Sequence, residues 1–299
     1  MRIGIIGATG FIGNALAQHL VPRGVGVVAF SRKKDLFVPW AREVRLVKNE
    51  GLAIDPRGLD AIVNLAGEPI IGLWTKAKKK RLVESRIDLT ERVVEALKNC
   101  PAAERPKLLI NASGAGIYGD RGDEVLAESA VSGSSFLAKI CVGWESAAVR
   151  AEALGMRVVM LRTGLVFGNG SGIWPLLKRV FSLGLGGKLG SGKQWVPWIH
   201  LDDEVGIIAH ALENENYSGP VNLVAPGAVT NAELTQTVAS VLNRPAFLPA
   251  PAFALKLVLG DLGRSVLESE RAQPKVALTQ GYDFKHPELR GALQNLIAS

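Results

Sequence analysis

With 299 residues, 47% of them apolar, the chain can bury a sizeable core as one large domain or two smaller ones. Its net charge of +7 is moderate, and no run of about 18 uncharged apolar residues occurs, so no membrane partner is expected. The two cysteines, Cys100 and Cys141, form neither a metal cluster nor a disulfide framework, which fits a reducing cytosol, a cytoplasmic location and no bound metal.

The start of the chain, MRIGIIGATGFIG, does not read as a signal peptide, because glycines interrupt a short apolar run. Arg2 to Ile6 reads as a strand and Phe11 to Pro22 as a helix, and Gly26 to Ser31 and Ala61 to Leu65 read as strands. Leu82, Leu89, Val93 and Leu97 recur at helical steps within a long helix from Thr75 to Asn99. A strand at Lys107 to Ala112, a helix at Ser135 to Leu154 and a strand at Met156 to Thr163 follow. Such alternation, with strands apolar throughout, predicts an α/β fold with a Rossmann-like, doubly wound parallel sheet.

After Gly168 the alternation decays into a Gly-rich and then Pro/Trp-rich stretch. Beyond it come helical patterns at Asp202 to Glu213, Asn231 to Leu242 and Pro251 to Leu259, a short strand at Val221 to Val224, and a basic, polar tail. The expected division is a nucleotide-binding domain over residues 1–168, with 196–225 contributing to its core. Residues 169–195 and 226–299 then form a smaller, mainly helical substrate domain.

The segment IGIIGATGFIG places Gly7, Gly10 and Gly13 between the first strand and the first helix. Gly7 permits the turn, Gly10 lets a pyrophosphate approach the backbone, and Gly13 lets helix and strand pack closely, with free N–H groups at the helix start. Thr9, Phe11 and Ile12 complete this expected phosphate loop. The second strand ends in Phe30-Ser31-Arg32-Lys33-Lys34. An NAD-selective site would place a carboxylate here, whereas Arg32 can stack on adenine and pair with a 2′-phosphate, so NADP(H) is the expected cofactor. Asn64-Leu65-Ala66-Gly67 ends a later strand with small residues that let a cofactor cross the sheet edge, and Glu68 follows it toward the cleft. Arg86 is a candidate for a phosphate or ribose contact, against an ordinary surface pair with Glu84 or Asp88. Lys76, Lys78, Lys79, Lys80 and Arg81 form a basic cluster that reads as a solvated helix start or an anion site; no nucleic-acid partner is expected, since no recognised nucleic-acid-binding pattern accompanies it.

The GATGFIG, NLAG, SGAGIYGD, LRTGLVFG and PWIHLDD segments, in this order and spacing, resemble an extended short-chain dehydrogenase/reductase. ESRI, FLAKICVGWES, GSGKQWVPWIH and the segment from NAELTQTVA onward resemble its atypical, epimerase-like subgroup with a C-terminal domain of unassigned function. The resemblance covers essentially the whole chain. It implies that Ser31, Arg32, Leu65, Ala66 and Arg86 line the cofactor, with Ala112 and Ser113 beside it and Thr163 near the nicotinamide. It also implies a monomer or homodimer.

In the wider superfamily a Ser, a Tyr and a Lys four residues after the Tyr move the protons. Placed on that pattern, Leu137 falls at the Tyr position and Cys141 at the Lys position. Ser113 lies one place off the usual Ser, where Gly114 stands. Catalytic residues are therefore unassigned, with Ser113, Tyr118 and His200 as candidates; Asp202 is expected to cap the helix after His200. Trp195, Trp198 and the Gly-rich GLGGKLGSGK run are candidates for a pocket floor and its cover. Two readings remain. One is an NADP(H)-binding, epimerase-like oxidoreductase acting on a small molecule such as a nucleotide sugar without the usual dyad. The other is a catalytically silent NADP(H)-sensing regulatory or cell-division-related protein.

Overall fold

The computed structural model describes residues 1–31, 40–41, 43–46 and 54–298. The first half runs β1 (Arg2–Ile6), α1 (Phe11–Leu20), β2 (Gly26–Ser31), β3 (Glu43–Leu46), β4 (Ala61–Asn64), α2 (Lys76–Val83), α3 (Leu89–Asn99), β5 (Leu108–Gly114), β6 (Val125–Leu126), α4 (Phe136–Val149) and β7 (Arg157–Thr163). The second runs β8 (Leu165–Phe167), α5 (Trp174–Ser182), β9 (Trp195–Val196), β10 (Trp198–His200), α6 (Leu201–Glu213), β11 (Gly219–Leu223), β12 (Val229–Thr230), α7 (Asn231–Leu242), α8 (Ala252–Leu259), α9 (Asp261–Ser265), β13 (Arg271–Ala272), α10 (Lys275–Thr279) and α11 (Leu289–Ala298).

Seven strands form one parallel sheet in the order β11-β7-β5-β4-β1-β2-β3. The order reverses between β1 and β4, which opens a crevice at the carboxyl ends of the strands. Period-two alternation sends Ile3 and Ile5 to one face, where they pack with Leu16, Ile207 and Leu212, and Ile6 and Val28 to the other, with Val93, Leu97 and Val158. A third cluster joins Phe167, Trp174, Phe181 and Trp198 to Leu234, Leu293 and Leu296 outside the sheet. The tail after α9 is not confined to that cluster. Ala277, Val276, Tyr282 and Phe284 pack back on the sheet core.

Elements without a counterpart in the sequence reading include β3, α5, α9, α10, α11 and several two-residue strands. α10 is only five residues long, whereas α5 has an apolar face at Trp174, Leu177 and Phe181 that the flanking Gly-rich stretch obscured. The expected long helix after Thr75 is interrupted by a π-helical turn at Glu84–Asp88, which adds a residue to the coil and turns Arg86 inward. The Gly-rich run is fixed rather than a loose cover: a Cβ on Gly187 would lie 1.8 Å from the Leu248 carbonyl oxygen, and Leu189 bridges Ala250. Trp198 is core, not pocket floor.

A buried polar knot holds β4, α3, β5 and α4 together. Asn64 Nδ2 donates to Asn111 Oδ1 at 2.7 Å and to Thr90 Oγ1 at 3.1 Å, and Trp144 Nε1 donates to the same Thr90 oxygen at 2.9 Å. Thr90→Val keeps the shape and removes the acceptor, leaving the buried indole N–H unpaired. We expect it to lower unfolding free energy by about 1–3 kcal/mol, read by urea denaturation.

Candidate functional site

The crevice is built from strand ends. Gly7 adopts φ +86°, and a Cβ there would meet Ala66 N at 2.9 Å, so the turn after β1 nests against the segment after β4. Gly10 N donates to Gly7 O at 2.9 Å to close the turn, and a Cβ on Gly13 would lie 2.3 Å from that same oxygen. α1 begins at Gly10 with no side-chain cap, as α3, α5, α8, α9 and α10 also do, and it follows directly on the glycine turn with no acid in its first turn. Its leading N–H groups are left for an anion, and a pyrophosphate fits that donor set.

Thr9 and Gly10 are exposed here, and Phe11 and Ile12 are half-buried. Phe11 also supports the loop at Gly168 and Gly172, where a Cβ would meet its ring at 2.7 and 2.9 Å. Leu65, Ala66, Ala112, Gly114, Gly116 and Thr163 are partly exposed along the same edge, and the register Gly114↔Thr163 aligns the last strand ends. Ser31 ends β2 at the edge of this row, and Arg32 lies outside the described residues.

Several candidates are placed differently from expectation. Arg86 is not a surface partner of Glu84 or Asp88. It is buried, donates to Glu68 O at 3.0 Å, stacks over Trp144 at 5.1 Å, and lies 3.4 Å from where a Gly67 Cβ would be. Glu68 does not face the crevice alone: its carboxylate pairs with Lys78 at 2.8 Å and Arg81 at 3.3 Å, and these bonds hold its pKa below the usual value. Lys79 pairs with Asp261, and Lys80 with Glu84 at 3.6 Å, so most of the basic cluster is spent internally.

The three catalytic candidates are structurally committed. Ser113 Oγ donates to Glu145 Oε1 at 2.8 Å. Glu145 receives both forks of Arg162, at 2.9 Å each. Arg162 Nη1 donates to the Tyr118 hydroxyl at 3.0 Å, and that hydroxyl donates to Asn222 Oδ1 at 2.6 Å. Tyr118 is fully buried, and burial raises its pKa, so it cannot reach a substrate as an acid. His200 is also buried. It, rather than Asp202, caps α6: its Nδ1 accepts from Asp202 N at 3.1 Å, and its ring lies 3.8 Å from that of His286. Burial and the neighbouring His286 push its pKa down to about 4, so it is neutral at ordinary pH. His200, His286 and Asp202 bring possible ligand atoms within 4.8 Å of one another with the two rings tilted by 38°, but His200 Nδ1 is already engaged by the Asp202 N–H.

On α4, Leu137 and Cys141 stand at the wall of the crevice beside Gly116 and Gly114, at 3.4 and 3.5 Å from where each Cβ would be. Cys141 is buried, and burial pushes its thiol up to about 12, which leaves it un-ionised and unreactive.

Two carboxyls that the sequence reading passed over are perturbed. Glu204 is fully buried below Thr163, whose Oγ1 donates to its Oε1 at 2.9 Å; burial pushes its pKa up to about 8. Glu270, on the segment leading into β13, is partly exposed, and burial of its carboxyl followed by the charges of Glu268 and Asp120 pushes it up to about 8. Neither follows a local sequence signal; each depends on what distant chain is folded over it.

A carboxyl whose folded pKa is raised binds its proton more tightly when folded, so it adds stability below its ordinary pKa and loses it as pH climbs to the raised value. For Glu204 that window runs from about 4.5 to about 8. The melting temperature of the wild type is expected to fall relative to Glu204→Gln by several degrees across this window. Scanning calorimetry at stepped pH reads the difference.

Residues 3–224 match the model of the NAD dependent epimerase/dehydratase family, and residues 250–296 match a domain of unknown function, DUF1731. The chain is 37% identical over 306 residues to the epimerase family protein SDR39U1 homolog, chloroplastic, of Arabidopsis thaliana, covering 99% of this chain and 87% of that one. The structure of the human epimerase family protein SDR39U1 with NADPH is 34% identical, covers 100% of both chains and superposes with a TM-score of 0.88. A nucleoside-diphosphate sugar epimerase from Corynebacterium glutamicum is 31% identical with a TM-score of 0.79, covering 99% of this chain and 58% of that one. The chain belongs to the NAD-dependent epimerase/dehydratase family of short-chain dehydrogenases/reductases, in the group of SDR39U1-like epimerase family proteins.

Proposed function

We propose that this protein binds NADP(H) along the crevice and catalyses a hydride-transfer step, oxidoreduction or epimerisation, on a small polar molecule of the nucleotide-sugar kind. The observation that carries the reading is the uncapped α1 N-terminus behind the Gly7–Gly13 turn, aligned with the open strand ends at Ala66, Ala112 and Thr163. The cofactor's pyrophosphate takes the α1 N–H groups, and Leu65, Ala66 and Gly67 leave room for it to cross the sheet edge. Arg32 and Ser31 receive the 2′-phosphate. NADPH in the human relative supports the choice of cofactor, and the Corynebacterium relative supports the substrate class. When bound, the nicotinamide supplies or accepts hydride. The chain's own part is to orient the substrate, exclude water and move a proton at the substrate oxygen.

The absence of a Tyr–Lys pair on α4 favours the rival reading of a cofactor-sensing protein without turnover, since Leu137 and Cys141 carry no usable proton. Calorimetry with NADPH and NADH, on wild type and Arg32→Ala, tests the cofactor. NADPH is expected to bind more tightly than NADH, and the variant to lose tenfold or more of NADPH affinity, about 1.4 kcal/mol, with NADH little changed. Oxidation of bound NADPH by a panel of carbonyl compounds and nucleotide sugars then separates enzyme from sensor. Binding without turnover on any member gives the sensor reading, and absence of NADPH binding overturns both.

A further inference from the structure

Hydride transfer to a carbonyl needs a proton for the oxygen, and α4 offers none. The usual candidates are spent: Ser113 on Glu145, Tyr118 on Asn222 and Arg162, and His200 on the α6 cap. Glu204 lies beneath Thr163 with no exposed surface and cannot touch a substrate.

One carboxyl does reach the place that Leu137 leaves without function. A Cβ on Gly116 would lie 3.4 Å from Leu137 Cβ and 3.9 Å from Glu270 Oε1. Gly116 follows β5, Leu137 opens α4, and Glu270 comes from the C-terminal segment, so three distant stretches converge on one point. Cys141, one turn along α4 from Leu137, is close enough to Glu270 for that carboxyl to disfavour ionisation of the thiol. A Cβ on Gly114 next to it would lie 3.9 Å from the Thr163 carbonyl oxygen, on the side of the crevice where the last strand ends meet.

The segment carrying Glu270 is held from both sides. Glu270 N donates to Trp195 O at 3.1 Å. Ser269 N donates to Asp120 Oδ1 at 3.1 Å, and Ser269 Oγ donates to Gly122 O at 2.7 Å. Arg271 and Ala272 pair with Val125 and Leu126, and the Arg271 guanidinium lies 4.2 Å from the Trp195 ring. The backbone is therefore fixed, while no described residue donates a hydrogen bond to the Glu270 carboxyl. A carboxyl that is walled by protein, retains an opening and has no internal partner is poised for an external one. Asp120 and Glu268, whose charges act on it, line a cavity of about 480 Å³ with Arg121, Ser132, Ser134 and Ser135.

We propose that Glu270 is the proton-transferring catalytic residue of this site, delivered from the C-terminal domain into the position vacated by the tyrosine of α4. The inference rests on the hydride-transfer reading of the crevice. In the reducing direction the carbonyl carbon gains hydride from NADPH, which becomes NADP⁺. The π electrons of the C=O bond settle on oxygen, the Glu270 O–H bond breaks, and its proton goes to that oxygen. The resulting carboxylate is re-protonated from water. In the oxidising direction the same carboxylate takes the hydroxyl proton. The groups bearing on its charge are Glu268 and Asp120, both of which favour the protonated form, together with Cys141, whose un-ionised thiol adds no charge.

The test uses the full chain. ¹³C-carboxyl-labelled glutamate, with Glu270→Gln to assign the signal, gives the titration of Glu270 without any substrate. A midpoint near 8 is expected. A midpoint in the ordinary carboxylate range overturns the proposal whatever the turnover. On a panel member turned over by wild type, Glu270→Gln is expected to keep NADPH affinity within about threefold and to lose at least about a hundredfold in kcat. Glu270→Asp should recover part of that loss. The wild-type fall in reduction rate above the Glu270 midpoint should disappear in the Gln variant. If Glu270→Gln turns over normally with an unchanged pH profile, the role is wrong and the hydride-transfer reading stands. If wild type binds NADPH and turns over nothing, the reading falls and Glu270 loses its reaction with it.

Discussion

The buried pairing of Arg162 with Glu145 is the constraint around which this crevice is organised. It joins the last strand of the crevice, β7, to α4, and through Ser113 it also fixes the end of β5. Burial works against the Arg162 charge, and hydrogen bonds to Glu145 together with the proximity of Tyr118 more than offset it, so the guanidinium stays protonated. A buried ion pair contributes little unless its geometry is good and its remaining donors are satisfied. Here the fork is bidentate, and Nη1 goes on to the Glu128 carbonyl at 2.9 Å and to Tyr118. Removal of either partner would leave a buried charge alone, which costs far more than the pair contributes.

That arrangement determines what the site can do. A hydroxyl that donates to a buried carboxylate, or sits between an arginine and an asparagine, is a structural part with no free proton to trade. The same network that makes the strand ends rigid therefore removes Ser113 and Tyr118 from the chemistry. The opening between Gly116, Leu137 and Thr163 remains, and the carboxyl that reaches it, Glu270, comes from outside the nucleotide-binding half. Asn222 reinforces this link: its side-chain amide donates to Leu126 O at 3.2 Å and Gln273 O at 2.8 Å, tying β11 to both partners of the β6–β13 ribbon. The segment bearing Glu270 is thus referenced to the same sheet that would hold the cofactor.

The sequence made the first half of the fold legible because its signals are local. A glycine turn directly after an apolar strand, and apolar residues at helical steps in α3, need no distant partner to be read. The surface-pair alternative for Arg86 fails because a π-helical turn carries it to the interior, and nothing in ESRID announces the extra residue. The lysines of α2 looked like a basic patch because their partners, Glu68 and Asp261, lie on other segments, one of them near the far end of the chain. The tail after Leu259 looked polar because α10 and α11 each bury only a narrow stripe, Ala277 in one and Leu289, Leu293 and Leu296 in the other. Glu270 fell in the same stretch, where the two carboxylates of ESER have no periodic context to mark either one.

A comparison of the two raised carboxyls shows why position, not pKa, assigns a role. Glu204 and Glu270 are both pushed up to about 8, and both would hold a proton at neutral pH. Glu204 obtains this state by complete enclosure, with one oxygen satisfied by Thr163, and any change in its charge is paid in stability alone. Glu270 obtains it beside two other acids and with an opening to solvent, so its proton has somewhere to go. A carboxylate formed there would meet Glu268 and Asp120, whose repulsion favours the acid. Arg86 of the π turn lies over Trp144, within range of Cys141. Burial keeps that thiol neutral, and the carboxylate of α4, Glu145, is taken up by Arg162. On the proposed roles, charge and acid are divided between Arg86 of the π turn and Glu270 of the segment before β13.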